Sequence, residues 1–361
     1  MRMIMNILSL VALALFYSCT NPVSQKPKPT EPYFKPGEYG GDAMSGTEWI
    51  TSVFPSPDGQ KIAIVRYWTP SRTIKDPREQ LWIVNKDGSN PKLISTNSAA
   101  ISWAPDNTKI AFSYALTPYL YVFTVNLNTM IAKQLNGKKN QYFNKATVSQ
   151  PFWFQDGIHL LLSVVDKAYQ QSYERGFYIM NLKTDSIRGP LVPITDSGQL
   201  GNNEKYITGE KYTTQSDSMS GNYINYNLTT KNWHWITHIT DEETKRYSIY
   251  LSPSPTSDII VFSKHINNAP QIFVTNSNGT HTRQFTHLGG EFPVWSPDGK
   301  YFTFIRDIHK GPGAHYIVMK CTVSNWKVSP LWPSLPDSVP HFPPVSTQHP
   351  IDLYSIVQQN Q

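Results

Sequence analysis

Apolar and polar residues alternate along this chain in short runs, and the runs come in pairs joined by turn residues. The clearest is PVWSPDGKYFTFIRD at 293–307, where Tyr301, Thr303 and Ile305 alternate with Phe302, Phe304 and Arg306 behind Pro297-Asp298-Gly299. A period of two marks a β-strand with two distinct faces. Proline presets φ for the turn, aspartate accepts hydrogen bonds from nearby amides, and glycine takes the positive φ. The frame recurs in SVFPSPDGQKIAIVRY (52–67), ISWAPDNTKIAFSY (101–114) and PFWFQDGIHLLLSVV (151–165). It has a longer turn in IYLSPSPTSDIIVFSKH (249–265) and a worn copy, with Asn203 for aspartate, in GQLGNNEKYITGEKY (198–212).

A second hairpin follows every frame: QLWIVNKDGSNPKLIS (80–95), YLYVFTVNLNTMIAKQL (119–135), RGFYIMNLKTDSIRGPL (175–191), GNYINYNLTTKNWHWIT (221–237), PQIFVTNSNGTHTRQFT (270–286) and AHYIVMKCTVSNWKVSP (314–330). Each joins an aromatic and β-branched strand to a second strand through Asn, Asp, Gly, Thr or Ser. Two strands plus two make a four-stranded unit, and an all-β unit repeating every 40–50 residues or so is a propeller blade. The pattern predicts an all-β fold, a six-bladed β-propeller of four-stranded antiparallel blades over residues 49–330. Composition agrees: 13% aromatic, 16% charged and 28 prolines in 361 residues suit short strands and turns, not a helical bundle or a disordered chain.

The flanks read differently. Arg2 and the apolar run MIMNILSLVALALF (3–16) make residues 1–18 a signal peptide, since the run is too short to span a membrane. Ser18-Cys19 resembles a bacterial lipobox, which implies cleavage before Cys19 and lipidation of that residue, although Phe16 and Tyr17 depart from the usual pattern. Residues 19–48 form a Pro/Lys-rich tether; its stretch TNPVSQKPKPTEPYFKPG (20–37), at about 3.1 Å per residue in polyproline geometry, spans roughly 50 Å. The proline-rich tail, 331–361, is expected to pack along the ring or to join a blade edge through Leu353–Val357. Cys321, the only other cysteine, reads as a small buried apolar side chain.

The run Trp-Ser-Pro-Asp-Gly-Lys at 295–300, followed by its alternating strand, resembles the WD40-like (PD40), TolB-type β-propeller repeat family, and the resemblance covers 49–330. It is specific for fold and weak for function: such propellers serve as binding modules, as substrate-gating domains of prolyl peptidases, and in a few carbohydrate-active lyases. With the lipobox it implies a lipid-anchored protein of the cell envelope, on the periplasmic side of the outer membrane.

Motifs for chemistry are missing. There is no Gly-x-Ser-x-Gly elbow, no His-Glu-x-x-His, no paired Cys-x-x-Cys and no EF-hand loop. The repeated Asp58, Asp106, Asp156 and Asp298 read as caps of their own turns, and Trp103, Trp153 and Trp295 as core between blades. No catalytic residue, metal or cofactor is expected. The candidate site lies instead at the mouth of the central channel, on the loops between the second and third strands of the blades. These offer Trp68, Arg72, Arg78, Tyr169, Tyr173, Arg175, His265, Arg306 and His309. Aromatic platforms beside guanidinium groups suit an anionic glycan or a peptide anchor, and the net charge of +6 agrees with an anionic partner. The expected function is non-catalytic binding or scaffolding of an envelope protein or anionic glycan. Export and the lack of a recognition motif exclude nucleic acid. The alternative is a carbohydrate-active lyase or hydrolase using His265, His309, His315 and nearby arginines.

Overall fold

The six repeats fold as six separate four-stranded antiparallel sheets, each made of four consecutive strands in their sequence order. In this computed structural model the described residues are 48–68, 78–116, 119–136, 147–166, 175–193, 195–211, 222–237, 250–267, 269–308, 316–335, 339–343 and 347–360. Blade 1 spans 48–96, blade 2 98–134, blade 3 147–188, blade 4 195–235, blade 5 251–284 and blade 6 291–330. The first strand of each blade is innermost: Glu48–Pro55, Ser98–Trp103, Thr147–Trp153, Thr195–Gly201, Leu251–Pro253 and Glu291–Trp295. Every inner strand touches the next, and that of blade 6 touches that of blade 1, so the sheets close into a ring: a six-bladed β-propeller.

The period of two explains how the ring packs. Alternate residues of one strand face opposite neighbours. In blade 1, Ile62 and Ile64 join a core with Ile305 and Val318 of blade 6, while Ala63 and Val65 join one with Ile110, Phe112 and Phe123 of blade 2. The buried apolar residues divide into six clusters, one for each seam between blades. Cys321 is buried in the seam between blades 5 and 6.

The turn motif works within and between blades. Asp58 Oδ1 accepts from Ser56 Oγ at 2.6 Å and from Gln60 N–H at 3.0 Å, and Asp298 Oδ1 from Ser296 Oγ at 2.7 Å and Lys300 N–H at 3.0 Å. Burial would raise these two carboxyls, but the hydrogen bonds outweigh it and hold both below the usual carboxylate range. Trp103 Nε1 donates to the Phe54 carbonyl at 2.8 Å and Trp295 Nε1 to the Ser252 carbonyl at 3.1 Å, so each indole fastens its blade to the inner strand of the preceding one.

The worn turn of blade 4 has its own role. Asn202, Asn203 and Glu204 all take positive φ (47°, 51° and 62°). The amides of Asn202 and Asn203 donate to Ser254 O and Pro255 O at 2.8 and 2.6 Å, and Glu204 Oε1 accepts from the amide of Gln155. One turn thus ties blade 4 to both of its neighbours.

Among the described residues no strand from one end of the chain completes a blade at the other, and the tail lies across the junction instead. After blade 6, Trp332 is buried and donates from Nε1 to Lys86 O of blade 1 at 3.1 Å. Leu335 and Pro340 lie on Gly88, where a Cβ would come within 2.5 Å of Leu335 Cδ1. Phe342 packs edge-on against Trp82 (5.2 Å between centroids), with the Arg66 guanidinium 4.7 Å from its ring centre. Ile351 N–H then donates to Ile94 O at 2.9 Å, and the helix Leu353–Asn360 buries Leu353 and Val357 in the core between blades 1 and 2. Leu353–Val357 therefore joins the ring as a helix and adds no strand to a blade edge. Helical spacing places Leu353 and Val357 on one face, four residues apart.

Candidate functional site

Six inner strands surround a central channel with a cavity of about 690 Å³. Each inner strand is the edge strand of its sheet, paired with another strand on one side only, and some of its backbone groups are taken by side chains of neighbouring blades, Phe54 O by Trp103 Nε1 and Leu251 O by Gln199 Nε2 among them. These strands are also irregular. Their pairing registers break at Ile50/Ser52, Ala99/Ser102, Asp196/Gln199 and Glu291/Val294, and Ala100, Ser197 and Phe292 take φ of 52°, 55° and 52°. Thr51, Ala100, Ser197 and Phe292 all line the cavity, so the same distortion recurs around the wall. Bulges leave a residue unpaired and re-aim side chains, and they gather next to binding and catalytic sites.

The two ends of the channel differ in chemistry. Around the turn end stand Pro57, Pro105, Pro255 and Pro297 with Trp103, Trp153 and Trp295. At the opposite end, towards the connections between second and third strands, are Tyr67, Glu79, Glu210, Tyr223, Tyr250 and Phe292. The rings of Tyr250 and Phe292 lie 4.2 Å apart, and Tyr250 is 39% exposed. Tyr223 donates its hydroxyl to Glu210 Oε1 at 3.0 Å. Glu79 is half-buried, and burial pushes its carboxyl above the usual range; among the described residues the carboxylate has no hydrogen-bond or ion-pair partner. Glu291, at the start of the inner strand of blade 6, is likewise pushed up by burial. Lys, Arg and His are absent from the described lining.

Of the residues picked out from sequence, Arg72, Tyr169, Tyr173, His309 and His315 lie outside the described residues, as do Cys19 and the tether. Trp68 and Arg78 end and begin facing strands of blade 1 and are cross-strand partners at the acidic end of the channel. Arg175 precedes the third strand of blade 3 and is half-buried. His265 is half-buried on the second strand of blade 5, opposite Pro270, and burial lowers its pKa. Arg306 is only 2% exposed: its Nε donates to Gly289 O at 3.2 Å and its guanidinium lies 5.4 Å from the Phe304 ring centre, so it braces the passage from blade 5 to blade 6. Among the described residues no group of three His, Cys, Asp or Glu is placed to hold a metal ion.

Sequence reading passed over Glu79, Glu210, Tyr223, Tyr250 and Phe292. For Glu79 a signal was present. It has the strand parity of Leu81 and Ile83, both buried in the seam with blade 2, and a carboxylate in step with core residues is out of place.

Fold and site together define a six-bladed β-propeller with an aromatic, proline-lined channel that is acidic at one end. No protein-family model matches the chain, and no curated protein matches it. Among solved structures it is similar to TolB from Acinetobacter baumannii (16% identity, TM-score 0.50), over 77% of this chain and 62% of that one. It is also similar to a TolB-type structure from Agrobacterium tumefaciens (14% identity, TM-score 0.50), over 70% of this chain and 87% of that one. A third is the acylaminoacyl peptidase of Pyrococcus horikoshii (11% identity, TM-score 0.50), over 79% of this chain but 46% of the peptidase. The chain thus spans less than two thirds of the Acinetobacter protein and less than half of the peptidase. These likenesses establish the TolB-type propeller fold. No helix among the described residues is long and apolar enough to cross a membrane.

Proposed function

We propose that this protein is a non-catalytic binding propeller of the bacterial cell envelope, held to a membrane by lipid on Cys19, which captures a partner protein by an extended segment entering the central channel. The observation that carries this reading is the ring of inner edge strands, each with a strand partner on one side only, around a cavity of about 690 Å³. An extended peptide forms backbone hydrogen bonds to such an edge whatever its sequence, while pockets between the bulged strands select side chains. A sugar chain has no matching ladder of amide donors and carbonyl acceptors. An anionic glycan also meets the wrong charge inside, since the described lining holds two carboxylates and no cation. The channel therefore favours the protein partner over the glycan, and the turn aspartates stay committed to their own backbone amides.

The test is photo-crosslinking in living cells that express the full chain with a benzophenone amino acid at Tyr250, inside the channel, or at Tyr354, exposed on the C-terminal helix. A protein adduct from position 250 and none from 354 is the expected result. A protease-resistant, periodate-sensitive adduct from 250 would replace the protein partner with a glycan. Adducts from 354 alone would move the binding surface off the channel. Mass spectrometry of the mature N-terminus checks the anchor: a diacylglycerol-modified Cys19 is expected, and an unmodified start beyond it would remove that part of the proposal.

A further inference from the structure

Three tryptophans end inner strands at matching places, and one of them keeps an unused donor. Trp103, Trp153 and Trp295 pair across their blades with Ile110, Leu160 and Phe302. Trp103 Nε1 donates to Phe54 O and Trp295 Nε1 to Ser252 O, both on the inner strand of the preceding blade. Phe54 and Ser252 sit opposite Ala63 and Val261, and Ser102, opposite Ala111, holds the same place for Trp153. Yet Trp153 Nε1 has no hydrogen-bond partner among the described residues. Trp153 is 5% exposed and lines the cavity at its turn end. A buried N–H without an acceptor carries a desolvation cost that an incoming acceptor removes. The backbone around it is committed: Trp153 N–H donates to Ser102 Oγ at 2.9 Å and Trp295 N–H to Ser252 Oγ at 3.3 Å, while Phe54 O and Ser252 O accept from the other two indoles. This end therefore presents one spare donor within an apolar wall that includes the half-buried Phe54, Phe152 and Phe154.

We propose that the turn end of the channel takes a proline-rich stretch of the inserted segment, one of whose carbonyls accepts from Trp153 Nε1 while its pyrrolidine rings pack on the aromatic wall beside it. The proposal rests on the channel being the binding site and adds the chemistry of what it takes there. Each proline brings a carbonyl acceptor and no N–H, so a run of prolines meets the spare donor and buries no donor of its own. An ordinary segment brings one N–H per residue to a wall where Phe54 O and Ser252 O are already taken. A run of prolines is also extended before it binds, in the polyproline II conformation, so it loses little freedom on entering a narrow channel. Aromatic-lined grooves recognise such segments for these reasons.

The experiment is fluorescence anisotropy of a labelled proline octamer, set against an octamer of alternating alanine and threonine, each titrated with the full chain. The proline octamer is expected to bind more tightly. Trp153→Phe, which removes the donor, weakens it at least fivefold, and Trp332→Phe, whose donor serves the tail, leaves it unchanged. Melting gives a second readout. Trp153 Nε1 has no bond to lose, so Trp153→Phe lowers the melting temperature less than Trp103→Phe does. Equal falls would mean that the Trp153 donor is already paired in the folded chain, which overturns the proposal. A proline octamer that binds no better than the other, or that ignores Trp153→Phe, also overturns it. A protein adduct from position 250 in cells then leaves the channel standing as the site, and its absence removes both. Binding that appears only once residues 20–37 are deleted makes the chain's own proline-rich tether the occupant, and the partner assignment falls.

Discussion

At the scale of single residues, the tryptophan of the repeat has two functions that a sequence pattern reports as one. Trp103 fills the seam between blades 1 and 2, and its Nε1 also donates to Phe54 O at 2.8 Å. Trp103→Phe keeps most of the apolar volume and removes the donor, leaving a carbonyl at a partly buried site. The expected loss is about 1 kcal/mol, read as a lower denaturant midpoint. Trp103→Ala adds a cavity and is expected to cost about 3–5 kcal/mol. No loss for Trp103→Phe would show that the hydrogen bond contributes nothing, and equal losses for the two variants would show that the ring's volume adds nothing beyond it. The turn aspartates illustrate the same economy of local bonding: their acceptor oxygens are used by Ser56, Gln60, Ser296 and Lys300, which is why they are caps and not chemistry.

At the scale of elements, the tail is the part whose role the alternation of residues does not announce. The chain leaves blade 6, crosses blade 1 and ends on blade 2, so it straps two seams, including the one where the two ends of the ring meet. Burying Leu353 and Val357 contributes roughly 1.5–3 kcal/mol for each side chain. A chain ending at residue 346 is therefore expected to melt at a lower temperature with an unchanged β-sheet spectrum. Val357→Asp, which keeps the full length and buries a charge, is expected to do the same. If neither variant shifts the melting temperature, the strap does not close the ring.

At the scale of the whole molecule, the ring keeps in its channel a carboxylate, that of Glu79, with no hydrogen-bond or ion-pair partner among the described residues, at a cost in stability. Burial raises the folded pKa of Glu79 above its ordinary value. Such a group leaves stability intact below the unfolded pKa and removes it as pH rises through the folded pKa. Glu79→Gln is thus expected to melt higher than the parent at pH 7, with the advantage shrinking towards zero as pH falls below about 4.5. A Glu79→Gln variant that is less stable at pH 7 would mean that the carboxylate is paired in the folded protein. Stability given up at a binding surface is a common signature of function.

Much of the architecture was legible because it is periodic. Alternation set which residues face which seam, the repeated turn set the strand pairs, and counting them set six blades; all are local relations that a linear chain displays. Even the worn fourth unit kept its second hairpin, although its Asn202-Asn203-Glu204 turn showed its purpose only beside Ser254, Pro255 and Gln155. The helix at Leu353–Asn360 was not legible as a helix, because eight residues have little helical preference of their own and take their conformation from the seam they cover. The channel lay furthest from the sequence. Glu79 and Glu210 are separated by much of the chain and become opposite walls only when the ring closes, whereas Arg306, conspicuous in sequence beside a loop, is drawn inside a blade. Local alternation determined the blades; closure of the ring alone decided which charges meet in the middle, because every blade contributes only one wall.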